Sequence, residues 1–138
     1  MTLFLIMRID LKKIIIVGAG EVGNFLANKL SSEQHNVTLI EENQTKVEEL
    51  NSSLDALVIQ GNGGSPSSLI EAGAEDSDLI IAVTDNENVN MLSCYIAKNM
   101  GTKKSFARVQ DGSMKNELEE LKIDQIIDPS DSACDEIE

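Results

Sequence analysis

A run of β-branched residues that leads directly into a glycine-rich turn constrains the fold of this chain more than any other feature. The segment KIIIVGAGEVG, residues 13–23, places Gly18, Gly20 and Gly23 in a GxGxxG pattern, and the helix-like NFLANKL follows it. Such glycines let the backbone turn tightly, approach a pyrophosphate and pack a helix against a strand. The N-terminus of the helix then presents free N–H groups and a partial positive charge to the phosphates. The segment therefore predicts a dinucleotide-binding strand–turn–helix unit.

An acidic residue follows at the spacing that such a unit requires. A second short strand, VTLI at residues 37–40, ends in Glu41 and Glu42, and Glu41 comes about 20 residues after the glycine turn. A carboxylate there accepts from ribose hydroxyls and disfavours a 2′-phosphate, which indicates NAD(H) or a plain adenine nucleotide rather than NADP. The alternative is that both glutamates form a solvated strand end.

Strand-like and helix-like segments alternate along the whole chain, which predicts an α/β fold with a doubly wound parallel sheet of order 3-2-1-4-5-6. The predicted strands are residues 14–17, 37–41, 56–60, 78–83, 105–109 and 125–127. The predicted helices are residues 21–31, 44–51, 65–72, 88–100 and 113–121, and another may begin at 131–138. We assign residues 1–11 to an N-terminal extension and residues 12–138 to one nucleotide-binding domain.

The composition of the chain indicates what its core consists of and which binding partners its charge disfavours. The chain has 138 residues, 41% of them hydrophobic but only 3% aromatic, so the core is expected to consist of Ile, Leu, Val and Ala, as in a covered parallel sheet. A formal net charge of −13 argues against binding to nucleic acid and against docking on anionic lipid. No segment predicts a transmembrane helix, and we expect no membrane insertion.

Side chains for catalysis are scarce. Cys94 and Cys134 form no CxxC pair, which favours a reducing, cytosolic setting. The single histidine, His35, falls in a polar turn, and we interpret it as an exposed loop residue. Without a nucleophile–base arrangement or a metal cluster, the sequence favours a domain that binds a nucleotide over an enzyme.

The residues after each strand are the other candidates, because ligands of such sheets bind beyond the carboxyl ends of the strands. Asn62 could contact adenine or ribose, or could only shape a glycine-rich turn. Thr84 could meet a phosphate or a second ribose and Asp85 a ribose, or both could cap the next helix. Arg108 in the fifth strand could pair with a phosphate or a subunit carboxylate, or extend into water.

Several blocks together resemble the TrkA N-terminal (RCK, regulator of potassium conductance) domains of Trk-type potassium uptake systems. The blocks are IIIVGAGEVG (14–23), VIQGNG (58–63), LIEAGAEDSDLIIAVTD (69–85) and NMLSC (90–94), with ARV (107–109) and IIDP (126–129). The third block is far more specific than the glycine pattern.

The resemblance implies a cytoplasmic regulatory domain that binds NAD(H), or ATP or ADP in related members, without catalysis. It further implies dimers or rings that dock on a membrane potassium-translocating subunit at the inner face of the membrane. Glu21 stands where ATP-preferring members often carry arginine, which favours NAD(H). The cofactor-binding residues carried over by position are Gly18, Ala19, Gly20, Glu21, Val22, Gly23, Glu41, Asn62, Thr84, Asp85 and Arg108.

Two other interpretations remain open at this point. The chain could be the cofactor-binding half of an NAD-dependent dehydrogenase, whose substrate domain with a catalytic His or Lys would be encoded downstream. It could also be the cytosolic domain of a channel or antiporter.

Overall fold

Strand β1 lies at the centre of a parallel sheet, as its unbroken run of β-branched residues predicts. The structure is a computed structural model that describes residues 11–110 and 120–127. Within them the strands are β1 (Lys13–Val17), β2 (Asn36–Glu41), β3 (Leu57–Gln60), β4 (Leu79–Ala82), β5 (Lys104–Arg108) and β6 (Gln125–Ile127). The helices are α1 (Glu21–Ser32), α2 (Gln44–Ser53), α3 (Pro66–Glu71) and α4 (Glu87–Met100), with a 3-10 turn at Ala74–Asp76.

The sheet has the order β3-β2-β1-β4-β5-β6, and every neighbouring pair is parallel. The predicted doubly wound order 3-2-1-4-5-6 is therefore confirmed. Val17 pairs with Ile40 of β2 on one side and with Ala82 of β4 on the other. The strand order reverses between β1 and β4, which opens a crevice beyond their carboxyl ends.

Both faces of the sheet are buried, because successive side chains of a strand point to opposite faces. Ile14 and Ile16 belong to a core with Leu26 of α1 and Val47 of α2. The residues between them point the other way and join a second core with α3 and α4, which contains Ile15, Val17, Leu69, Met91, Cys94 and Ala97. This arrangement explains why a chain with so few aromatic residues still has a large core.

Glycines lie directly after two of the predicted helices, at 65–72 and 88–100, as is typical of helix C-termini. Gly73 follows α3 with φ of +82°, and Gly101 follows α4 with φ of +129°, values that L-residues rarely adopt. Ser65 precedes Pro66 at the start of α3, but its hydroxyl bonds to Ser67 rather than capping the helix.

Three predictions about burial were wrong. His35 is buried at 6% exposure, because its Nδ1 accepts a hydrogen bond from Lys12 N at 2.9 Å and the ring fills the space beside the start of β1. The pattern of apolar residues at 88–100 predicts Leu92 and Tyr95 as core contacts of that helix. They are instead 46% and 38% exposed, since the buried stripe of α4 follows Met91 and Cys94.

Three predicted segments fall wholly or largely outside the part of the chain that the structure describes. Residues 1–10 of the extension and the possible helix at 131–138 lie there entirely. Of the predicted helix at 113–121, only the last two residues are described, and they form part of a turn. In the described residues, no helix is both long enough and apolar enough to cross a membrane.

Candidate functional site

A cleft of about 280 Å³ lies beyond the carboxyl ends of β1, β2 and β4, at the point where the strand order reverses. Its volume is near the lower end of the range for small-molecule pockets. It is lined by Val17, Gly18, Ala19, Gly20, Ile40, Glu41, Glu42, Lys46, Gly61, Asn62, Gly63, Val83, Thr84, Asp85, Asn86 and Val89. The cleft therefore combines exposed backbone of two glycine-containing loops with acidic side chains and one lysine, around apolar side chains from the ends of the strands.

Each of the three glycines of the GxGxxG turn has a different structural environment. Gly18 has φ of +102° and lies against Thr84, so close that a Cβ would be 2.9 Å from the Thr84 methyl carbon. A Cβ on Gly23 would lie 1.8 Å from the Gly18 carbonyl oxygen, which shows how tightly α1 packs on the turn. A Cβ on Gly20 would meet nothing within 4 Å, so the backbone there is open toward the cleft.

The N-terminus of α1 has no side-chain cap, unlike those of α2 and α4. Asn43 Oδ1 accepts from Lys46 N to cap α2, and Asn86 Oδ1 accepts from Asn88 N and Val89 N to cap α4. At α1 the capping position is Gly20, which has no side chain to offer. The first-turn N–H groups of α1 are thus available to an anion in the cleft, which the helix dipole also favours.

Glu41 lies next to the glycine turn that precedes that helix and joins two loops. Its Oε1 accepts from Ala19 N at 2.8 Å and its Oε2 accepts from Asn43 N at 2.7 Å. A carboxylate offers about four acceptor positions, so each oxygen keeps one for another donor. The side chain therefore orders the glycine turn and still presents acceptors to the cleft.

Thr84 borders the other side of the glycine turn and is fixed by Asn90, a fully buried residue of α4. Asn90 Oδ1 lies 2.9 Å from Thr84 N and 2.6 Å from Thr84 Oγ1. Asn90 Nδ2 donates to the carbonyl oxygens of Thr84 and Arg108. Because Asn90 lies in the first turn of the predicted helix, the sequence allows it to face either the cleft or solvent. It faces neither and instead joins the ends of β4 and β5.

The cleft brings together seven of the eleven predicted binding residues, namely Gly18, Ala19, Gly20, Glu41, Asn62, Thr84 and Asp85. Asn62 also shapes its own loop, since its Oδ1 accepts from Gly64 N at 2.8 Å. Among the other four, Glu21 is exposed on α1, Val22 packs on the core and Gly23 is buried under the turn. The Arg108 guanidinium does not line the cleft, and its Nη1 lies 3.6 Å from Asp85 Oδ1.

Sequence reasoning missed Lys46, the one basic side chain among the lining residues of this cleft. A signal for it existed: Asn43 is a helix-capping residue type, and it places Lys46 in the first turn of the helix that follows β2. That turn lies at the carboxyl edge of the sheet, where a cation can attract a phosphate. In a chain with a net charge of −13, this local positive charge matters.

The shifted pKa values lie away from the cleft. Burial raises the pKa of the Cys94 thiol to about 12, so it is a core residue and a poor nucleophile. The pKa of Asp78 is lowered, chiefly because its carboxylate accepts from Lys13 N. Burial would raise the pKa of Asp124, but hydrogen bonds from Lys98 and Ser105 N and nearby lysine charges outweigh it and lower the value. Within residues 11–110 and 120–127, no three His, Cys, Asp or Glu side chains cluster as metal ligands.

Comparison with known proteins identifies the family of this chain. The family described as the TrkA-N domain matches residues 14–129, which is most of the chain. The chain belongs to the TrkA-N family. It is 38% identical over 125 residues to the Trk system potassium uptake protein TrkA homolog of Methanothermobacter thermautotrophicus, covering 91% of this chain and 58% of that protein. It is 36% identical over 132 residues to the Trk system potassium uptake protein TrkA of Haemophilus influenzae, covering 91% and 29%.

Solved structures show the same fold for this TrkA-N domain. The TrkA-N domain of the inner membrane protein ybaL from Escherichia coli superposes with a TM-score of 0.80 at 20% identity, covering 94% of this chain and 96% of that one. The GsuK channel bound to NAD gives a TM-score of 0.75 at 18% identity, covering 86% and 22%. The predicted family and the Rossmann-like fold are therefore confirmed, while the chain spans only about a third to just over half of its curated relatives.

Proposed function

We propose that this TrkA-N domain is the NAD(H)-binding regulatory domain of a Trk-type potassium uptake system. In this role it is cytoplasmic and non-catalytic, forms dimers or rings, and docks on a membrane potassium-translocating subunit. One observation carries the proposal: the uncapped N-terminus of α1 and the Glu41 carboxylate face the same cleft. An adenosine diphosphate moiety needs both an anion site and a ribose acceptor.

The two parts of the cleft fit the two parts of that moiety. The diphosphate would lie on the open backbone at Gly20, with the first-turn N–H groups of α1 as donors and Lys46 as a nearby cation. The adenosine ribose would donate its hydroxyls to the remaining acceptor positions of Glu41. A 2′-phosphate at this place would meet a carboxylate, so NADP(H) is expected to bind much more weakly.

The curated relatives support the biological role. Two of them are named Trk system potassium uptake proteins, and the TrkA-N family matches most of this chain, which covers only part of their length. A regulatory domain changes transport only if its ligand binds the two conformations of the assembly with unequal affinity. We expect NAD(H) to supply that difference, with ATP or ADP as the competing ligands, since a GsuK structure is described as bound to ADP.

Calorimetric titration of the purified chain with NADH, NAD, NADPH, ATP and ADP tests the proposal. Binding of NADH with a micromolar dissociation constant, tighter than that of NADPH, is the expected result. Tight binding of ATP with none of NADH would replace the proposed ligand, and no binding of any nucleotide would contradict the proposal.

A matched pair of substitutions at Gly20 links binding to this cleft. Gly20→Asp and Gly20→Asn both fit, because a Cβ at Gly20 is unobstructed and both residues are good helix caps. Only the aspartate adds a negative charge beside the diphosphate, which costs at least about 1.4 kcal/mol, or tenfold in affinity. Equal NADH affinity of the two variants would show that the diphosphate lies elsewhere.

A further inference from the structure

The orientation of the Asn90 side chain is determined by its surroundings. Its Nδ2 lies 3.0 Å from the carbonyl oxygen of Thr84 and 2.9 Å from that of Arg108, and both of these atoms can only accept. The nitrogen of the amide must therefore face the two carbonyls, and Oδ1 must face Thr84. This assignment also satisfies Thr84 N, which donates to Oδ1 at 2.9 Å.

The hydroxyl proton of Thr84 is committed as a consequence. Thr84 Oγ1 lies 2.6 Å from Asn90 Oδ1 and 3.1 Å from the carbonyl oxygen of Asn86, and neither oxygen can donate. The hydroxyl therefore donates within its own loop, to Asn90 Oδ1 as the nearer acceptor. Asn86 N in turn donates to Thr84 Oγ1 at 3.2 Å. A hydroxyl oxygen has two lone pairs, so one remains for a ligand. Toward the cleft, Thr84 can accept a hydrogen bond but has no proton left to donate.

This polarity decides which chemical group can lie beside Thr84. A phosphate oxygen is an acceptor and would gain no hydrogen bond from Thr84, whereas a sugar hydroxyl can donate to it. The neighbouring Asp85 carboxylate, also an acceptor, is fully exposed on the same cleft wall. The wall formed by Thr84 and Asp85 is thus suited to hydroxyl donors and unsuited to a third phosphate.

We propose that Asn90 is a positioning residue that makes Thr84 an acceptor, so that this wall of the cleft selects the second ribose of a dinucleotide over the terminal phosphate of a nucleoside triphosphate. This inference rests on the proposed function and deepens it. Glu41 and Thr84 lie on opposite sides of the Gly18 turn, against which Thr84 packs directly. A ligand with two riboses flanking one diphosphate would present one ribose to each side of that turn.

Titrations with NADH, ATP and AMP test the proposal, with three variants of the purified chain. Thr84→Val removes the acceptor at nearly constant shape and should weaken NADH binding about three- to tenfold while AMP, which has one ribose, is unaffected. Thr84→Ser keeps the hydroxyl and should bind NADH more tightly than Thr84→Val. Asn90→Ala removes the nearer acceptor of the Thr84 proton and leaves only the Asn86 carbonyl oxygen at 3.1 Å. The hydroxyl can then turn to donate to a phosphate, so the ratio of NADH affinity to ATP affinity should fall about three- to tenfold.

A purely structural role for Asn90 gives a different pattern. Loss of general order in the cleft would weaken NADH, ATP and AMP together and leave the affinity ratio unchanged, which would overturn the inference. Thermal melting without ligand monitors folding, and if Asn90→Ala does not fold, the Thr84 pair decides the question. If the wild type binds NADH normally and the ratio of NADH affinity to ATP affinity is unchanged in all variants, this inference alone is contradicted. If the wild type binds no nucleotide, the proposed function is contradicted as well.

Discussion

At the scale of single residues, the candidate site depends on side chains that serve the fold and the cleft together. Glu41 connects the glycine turn at Ala19 with the start of the next helix at Asn43, and it still has acceptor positions to offer. A carboxylate that accepts two backbone N–H groups is held in one orientation. Its position therefore comes from the protein before any ligand arrives, which lowers the cost of binding.

Glu41→Gln should weaken NADH binding about tenfold or more and reduce the preference for NADH over NADPH. The amide keeps one acceptor but turns a donor toward a backbone N–H, and a hydrogen bond to a charged group contributes about 1.5–3 kcal/mol. Titration with both coenzymes measures the effect. Glu42→Gln removes the same charge from the adjacent residue and should bind NADH no more weakly than the wild type. A wild type that binds NADPH as tightly as NADH would contradict the role of Glu41.

At the scale of elements, the packing of α1 on the β1 turn sets the direction in which the helix points. Gly23 allows this contact, because its Cα lies directly on the Gly18 carbonyl. The close approach leaves the helix N-terminus at the cleft, with Gly20 at its capping position and no side chain there. The geometry of the anion site thus follows from one strand–helix contact.

Gly23→Ala should destabilise the chain by about 2–3 kcal/mol, because the new methyl group would lie 1.8 Å from a backbone oxygen that cannot move away cheaply. Gly20→Ala is only three residues away, but its new methyl group meets nothing within 4 Å. It should change the free energy of unfolding by less than about 1 kcal/mol. Chemical denaturation of both variants gives the comparison. Equal stabilities would mean that α1 does not pack as described.

At the scale of the whole molecule, two carboxylates join the elements at the amino edge of the sheet, opposite the cleft. Asp78 accepts from Lys13 N and lies 3.2 Å from the Lys103 ammonium, so it connects β1, β4 and the start of β5. Asp124 accepts from Ser105 N and from Lys98, which connects β5 to α4 and to the segment before β6. These carboxylates therefore stabilise the edge of the sheet opposite the candidate site.

The lowered pKa values of Asp78 and Asp124 predict loss of stability in acid. Each pKa is below its ordinary value of 3.8 in the folded protein, so the folded state prefers the ionised form. The stabilisation is complete above pH 3.8 and is lost as the pH falls through the lowered folded-state values. Asp78→Asn should cost about 1 kcal/mol at neutral pH, since it removes an ion pair and weakens one hydrogen bond.

Denaturation curves at several pH values measure this difference. The gap in unfolding free energy between the wild type and Asp78→Asn should shrink below about pH 3.8, where the wild-type carboxyl also loses its charge. A gap that stays constant down to pH 2 would show that the ionised form of Asp78 contributes nothing.

The parts of the site that follow from local sequence were predictable, and those that depend on distant contacts were not. The GxGxxG pattern and the number of residues from it to Glu41 can be read directly from the sequence, and the structure brings Gly18, Gly20 and Glu41 to one cleft. Arg108 was placed near the phosphates, but its guanidinium lies outside the lining and next to Asp85. Asn90 was left undecided because its partners, the carbonyls of Thr84 and Arg108, belong to two different strands.

Periodicity and spacing by themselves determined the alternating elements and the strand order, because a parallel sheet needs apolar strands and a glycine turn has few alternatives. The family followed from the resemblance of particular sequence blocks. Tertiary structure alone decided which polar side chains became structural. His35 is buried because the start of β1 passes beside it, and Asn90 is buried because β4 and β5 end around it. A short polar residue has no periodic signature of its own, and only the backbone groups that surround it fix what it donates to and accepts from.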